Sequence, residues 1–419
     1  MKKVYIILLF VIYSSPGAQE LAWDIIGEMR YPVAAGLTFA NENIIYIIGG
    51  YSKDEQSSVN WIQKYDYSQS ISKIISETYV PRTGHAGAEA NGLFYYFGGI
   101  QDTTQDGNYI ENWDFYTGYS GEIIDSHTTF NRINSSCEIV NGSMYIIGGN
   151  PYFANDTLNL SYIVEYNLST GVFTEHNTTF NTLDDMPEQQ MTAVLGDNIF
   201  IFGGLLNGIT RDIYKFDTYT KTFSKLPARL LEPRAGGVAI NYYGANEIII
   251  IGGFNESASA MNTTEIFSYN ESSISLKQGA LLEKARAHNM AQFAGGDIYV
   301  LGGYGPGGEH VKEIEKLGVA TSLTDEGNSP EKFSLDQNYP NPFNPSTKIE
   351  FNLATQGNVS LKVYDLSGSL VKSLIDDKLS AGKHIVSFST EDKQIASGVY
   401  IYRLTTDKFT TSRKMLLLK

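Results

Sequence analysis

Cysteine is nearly absent. The single Cys137 in 419 residues leaves no partner for an intramolecular disulfide and no set of thiolates for a structural zinc. Charge is also sparse, at 18% of residues, and basic side chains are in deficit: 31 Lys and Arg face 46 Asp and Glu, a net charge of −15. A chain without a basic face cannot release phosphate counterions, so no nucleic acid is expected as a partner. No apolar run reaches the ~20 residues that span a bilayer, so no transmembrane segment is expected. The longest run, Val4 to Tyr13, follows Lys2 and Lys3 and precedes small residues, the order of a signal peptide over residues 1–18. Phosphate-binding glycine loops opening a helix, His-Glu-x-x-His and a nucleophile elbow are missing as well.

Tyrosine, phenylalanine and glycine are plentiful, at 28, 21 and 40 residues, a profile of many half-buried strands joined by tight turns. An apolar strand ending in Gly-Gly recurs six times, at Gly49/Gly50, Gly98/Gly99, Gly148/Gly149, Gly203/Gly204, Gly252/Gly253 and Gly302/Gly303. Successive first glycines are 49, 50, 55, 49 and 50 residues apart, room for four short strands per unit. Each unit places a small-residue strand, such as GHAGAEA, before a continuously apolar one, such as LFYYF. The first suits a crowded axis and the second a strand buried on both faces. The doublets mark places where backbone approaches backbone or takes φ > 0. Downstream aromatics (Tyr65, Trp113, Tyr166, Phe216 and Tyr269) are expected to cover them.

The doublets, the trailing aromatics and the preceding arginines together resemble kelch repeats, over residues 19–317. The resemblance implies an all-β, six-bladed kelch-type β-propeller. The segment LAWDIIGEM supplies the outer strand that the last unit lacks, so the propeller is closed by the N-terminal strand, without open edges.

Residues 318–332 are polar and aperiodic and read as a linker. From Phe333 to Lys419, short alternating strands predict a small immunoglobulin-like β-sandwich. YPNPFNPST, DLSG, ASGVYIYRL and the terminal RKMLLLK resemble the type A C-terminal sorting domain of the type IX secretion system. That resemblance implies the type IX secretion machinery as a partner and a secreted or outer-membrane surface location.

Ligands of propellers sit at a channel mouth, near the start of each innermost strand. Arg82, Arg132 and Arg286 each lie 16 residues before the first glycine of their doublet, and Arg234 aligns after a two-residue insertion. Two roles are open to them: a ring of guanidinium groups for an anion, or, as the kelch resemblance implies, satisfaction of loop carbonyls between blades. His85 and His288 fall on candidate inner strands and complete the set of mouth candidates. Kelch-type copper radical oxidases need a Tyr-His dipeptide, and none occurs, so no metal or cofactor is expected. A carbohydrate enzyme such as a sialic-acid mutarotase or epimerase would draw on Arg82, Arg286 and Glu89, but no motif singles these out. The favoured expectation is a non-enzymatic propeller that binds an extracellular protein or glycan. The aromatic segment QDTTQDGNYIENWDFYTGYSGE is its most ligand-like loop, with Trp113 and Tyr116 alternatively packed between blades.

Overall fold

A computed structural model describes residues 21–41, 43–78, 80–90, 93–100, 109–114, 119–151, 162–177, 187–241, 247–270, 273–319, 334–335, 338, 341, 343–353, 356–365, 370–380, 382–390, 395–406 and 410–417. The signal-peptide segment, the 318–332 linker apart from its first two residues, and most of the aromatic loop, Tyr116 included, lie outside them.

Among the described residues of 21–319 there are six four-stranded antiparallel sheets. The inner strands are Leu37–Asn41, Ala86–Ala90, Ser136–Val140, Met191–Leu195, Val238–Asn241 and Met290–Ala294, here numbered as sheets one to six. Each inner strand touches the next and the sixth touches the first, a closed cycle. The strands entering the doublets, for example Ile44–Ile48 and Glu247–Ile251, carry Ile45, Ile47, Ile48, Ile248, Ile249, Ile250 and Ile251 at 0% exposure. Both of their faces are covered, which is why they read as unbroken apolar runs. Sheet six takes its outer strand, Leu21–Glu28, from the N-terminal side, paired antiparallel to Glu313–Val319 from Leu21↔Val319 to Glu28↔Glu313.

The downstream aromatics do not cover the doublets. Register places Tyr65 opposite Ile45 and Trp113 opposite Phe94, at the far end of the strand from the glycines. They pack instead on the preceding sheet: Trp113 against Phe39 and Tyr46, Phe216 against Tyr145, and Tyr269 against Phe200. Trp113 is 1% exposed, so it contributes to cohesion between sheets and not to a binding loop.

Towards the C-terminus, a three-stranded sheet and a four-stranded sheet share one core that includes Phe351, Leu361, Tyr402 and Leu417. Asn341 and Phe343 of the Asn-Pro-rich motif are tied to this unit. Phe343 is buried and its amide donates to the Leu416 carbonyl, while Asn341 Oδ1 accepts from the Leu416 amide.

Candidate functional site

The site grows from the backbone at the axis. One residue per sheet, Ala35, Gly84, Asn134, Gln189, Gly236 and His288, precedes the inner strand with φ between 51° and 62°. Each donates its amide to the equivalent carbonyl of the preceding sheet: Gly84 to Ala35 (2.9 Å), Asn134 to Gly84 (2.8 Å), Gln189 to Asn134 (3.0 Å), Gly236 to Gln189 (2.8 Å), His288 to Gly236 (2.6 Å) and Ala35 to His288 (2.9 Å). Six bonds thus close a ring. Four of its members are not glycine, and each such residue costs roughly 1 kcal/mol or more in this conformation, which the ring must outweigh.

The arginines stand behind this ring and not in its opening. Arg82, Arg132, Arg234 and Arg286 are at most 1% exposed. Their Nη1 atoms donate to the carbonyls of Gly98 (2.6 Å), Gly148 (2.9 Å), Gly252 (3.0 Å) and Gly302 (3.2 Å). Three also bind a buried carboxylate: Arg82 with Glu111 (2.6 Å), Arg234 with Glu265 (2.8 Å) and Arg286 with Glu315 (2.5 Å). Glu265 and Glu315 in turn accept backbone amides from Leu231 and Glu283, so both charges of each pair are satisfied. Arg132 has Val164 where the others have glutamate, and burial pushes its pKa down to about 10. Backbone carbonyls of the same arginines receive the second glycine of the preceding doublet, as from Gly50 to Arg82 (2.8 Å) and Gly99 to Arg132 (2.7 Å). Buried guanidiniums turned onto backbone carbonyls, three of them also paired with carboxylates, present no free face to an anion at the mouth. Of the two roles read from the sequence, these arginines occupy the structural one.

His85 and His288 do line the opening. A cavity of about 120 Å³ is bounded by the six ring residues and their successors Gly36, His85, Ser135, Gln190, Gly237 and Asn289. These successors alternate in size. His85, Gln190 and Asn289 reach over the first glycine of the preceding doublet, so that a Cβ added at Gly49, Gly148 or Gly252 would meet them at 2.8–2.9 Å. Sheets one, three and five supply Gly36, Ser135 and Gly237 instead. Burial, then the Arg82 charge, push His85 down to about 3, so its imidazole is neutral.

Beyond the ring, the residue after each doublet edges the mouth: Tyr51, Ile100, Asn150, Leu205, Phe254 and Tyr304, each bridged to the segment leading into its own inner strand. Aromatic residues occupy three neighbouring sheets, and two histidines fill the gaps between them. Ring centroids run Tyr51 to His310 (6.2 Å), His310 to Tyr304 (4.9 Å), Tyr304 to His288 (6.1 Å) and His288 to Phe254 (5.5 Å). All five are half-buried, and burial lowers the pKa of both His288 and His310, which favours uncharged rings. The histidine Nδ1 of residue 310 is 3.1 Å from the Pro32 carbonyl, which holds the ring in place. Reading along the repeat register would have found this strip, since its aromatic members share one position, immediately after Gly-Gly. Among the described residues no group of three or more His, Cys, Asp or Glu side chains converges, and no helix is long and apolar enough to cross a membrane.

Comparison with known proteins agrees with the repeat and with the tail. Curated relatives include "Putative protein tag-53" of Caenorhabditis elegans, 24% identical over 317 residues, covering 67% of this chain and 23% of that protein. "Kelch repeat and BTB domain-containing protein 1" of camelpox virus (strain CMS) is 25% identical over 271 residues, 62% of this chain and 45% of the viral one. The chain therefore spans less than half the length of these relatives. Among solved structures, that of YjhT superposes with a TM-score of 0.55 at 17% identity, over 70% of this chain and 96% of YjhT, a likeness of fold. Residues 35–236 match the KLHDC2/KLHL20/DRC7 Kelch-repeats domain, and residues 337–418 match the secretion system C-terminal sorting domain. The chain thus carries kelch repeats and, after them, a secretion system C-terminal sorting domain.

Proposed function

We propose that this is a secreted or surface-displayed glycan-binding protein whose kelch repeats form a six-bladed propeller closed by the N-terminal strand. The sorting domain points to export by type IX secretion, with residues 1–18 as the leader to the first membrane and the C-terminal unit, read as an immunoglobulin-like sandwich, as the address. Six sheets in a closed cycle and the pairing of Leu21–Glu28 with Glu313–Val319 support the closure.

The strip Tyr51, His310, Tyr304, His288 and Phe254 carries the binding reading. Flat, uncharged rings at a concave mouth match the apolar faces of sugar rings, and the amides and hydroxyl around the neighbouring cavity match their hydroxyl groups. The guanidiniums that an epimerase would turn on a substrate carboxylate, Arg82 and Arg286, are already engaged by Glu111 and Glu315, and Glu89 stands exposed on its inner strand. A glycan array probed with the exported chain, beside Tyr304→Ala and Phe254→Ala, tests the reading. Saturable binding lost in both variants supports it. Binding equal in all three, or none to any glycan, refutes it and turns the search to protein partners.

A further inference from the structure

A second concavity lies between the loops of sheets four and five. The loop after Gly203/Gly204 and the one after Gly252/Gly253 enclose a cleft of about 680 Å³, the size of a small-molecule site. Its apolar wall is Leu205, Leu206, Ile209, Pro233 and Phe254, all half-buried. The polar side is cationic. Arg211 is exposed and makes one long hydrogen bond, 3.4 Å to the Leu231 carbonyl. Arg229 pairs with Asp212 (2.8 Å), whose other oxygen holds Lys225 (2.5 Å), so two cations share a single carboxylate. Glu256 is the one acid among the lining residues. On a chain of net charge −15, this is a local reversal of sign.

We propose that this cleft binds a small organic anion with an apolar body, an aryl or alkyl carboxylate or sulfonate. The body lies on Leu205, Leu206 and Phe254, and the acid group pairs with Arg211. An exposed guanidinium at the rim of an apolar wall suits such an amphiphile because the planar fork meets two anionic oxygens while the wall removes the body from water.

The test compares two fluorescent probes of one shape, the anionic 8-anilinonaphthalene-1-sulfonate and the neutral N-phenyl-1-naphthylamine, titrated into the full exported chain at fixed salt. The expected result is one saturable site at which the sulfonate binds at least about tenfold more tightly, the effect of one charge-assisted pair. Arg211→Ala should erase that difference, Arg211→Lys should keep most of it, and Glu256→Gln should tighten sulfonate binding a few-fold. Because Arg211 is exposed, an unchanged melting curve verifies that the variant is folded. Equal affinity for both probes, indifference to Arg211→Ala, or no saturable site at all overturns the proposal, whatever the glycan array shows.

Discussion

Arg82 and Glu111 meet side-on and buried: Nε and Nη2 of the arginine both donate to Oε1 of the glutamate, at 3.1 and 2.6 Å, while Nη1 holds the Gly98 carbonyl. Tyr96 donates to the remaining oxygen at 3.0 Å. Breaking one side of such a pair strands a charge without water. Arg82→Met should therefore cost about 3–5 kcal/mol, and Arg82→Met with Glu111→Leu distinctly less. Urea midpoints of the two variants and the parent decide it; a double variant no better than the single would contradict the account.

Sheet one lacks this pair, having Val33 at the arginine position and Gln63 at that of the glutamate. Gln63 is 0% exposed, and among the described residues neither its nitrogen nor its oxygen has a hydrogen-bond partner. Gln63→Met keeps the length and removes the orphaned amide, so stability should rise by about 1 kcal/mol or more. Calorimetry would expose the error if the melting temperature fell.

The doublet glycines differ in kind from turn glycines. A Cβ on Gly98 would lie 2.1 Å from the Arg132 carbonyl, whereas one on Gly142 meets nothing within 4 Å although its φ is 80°. Gly98→Ala should cost more than about 3 kcal/mol through clash and lost contact between sheets, and Gly142→Ala only about 1 kcal/mol of backbone strain. Similar midpoints for the two would mean that contact between sheets is not what the doublet serves.

Glu138 accepts from Thr192 Oγ1 at 2.7 Å, and burial raises its pKa to about 7. A carboxyl group whose pKa is raised by folding binds more protons folded than unfolded. Its contribution is thus fully present below the unfolded value near 4.5 and is lost as pH climbs through about 7. Glu138→Gln keeps the acceptor and abolishes the titration, so the variant should gain on the order of 1 kcal/mol at pH 8 relative to its parent and nothing at pH 4. Melting curves at both pH values measure this, and a gain independent of pH would rule out Glu138 as its source.

Doublets, strand order and the tail motif were legible because each is a local demand: only glycine tolerates a carbonyl at 2–3 Å from where Cβ would stand, and only a strand covered on both faces is apolar throughout. Arginine register was equally visible, but its direction was not, since spacing cannot say whether a guanidinium turns to the axis or back into its own sheet. The partners decide that, and Glu111, Glu265 and Glu315 lie about 30 residues downstream, at a shared position the repeat register contains but composition hides. Left-handed ring residues were illegible for another reason. Ala35, Gln189 and His288 have no intrinsic wish for positive φ, and only the closed ring imposes it.

Pairing of Leu21–Glu28 with Glu313–Val319 also has a meaning in time. Five sheets are assembled from consecutive stretches of chain and can form as those stretches become available, whereas the sixth waits for a strand held at the opposite end. That pairing spans almost the whole kelch-repeat sequence, and contacts of such separation are the slowest to form. A chain that stops short of Glu313 is left with an unpaired first strand, so the sixth sheet exists as a whole only once the stretch from Leu21 to Val319 is present in one piece.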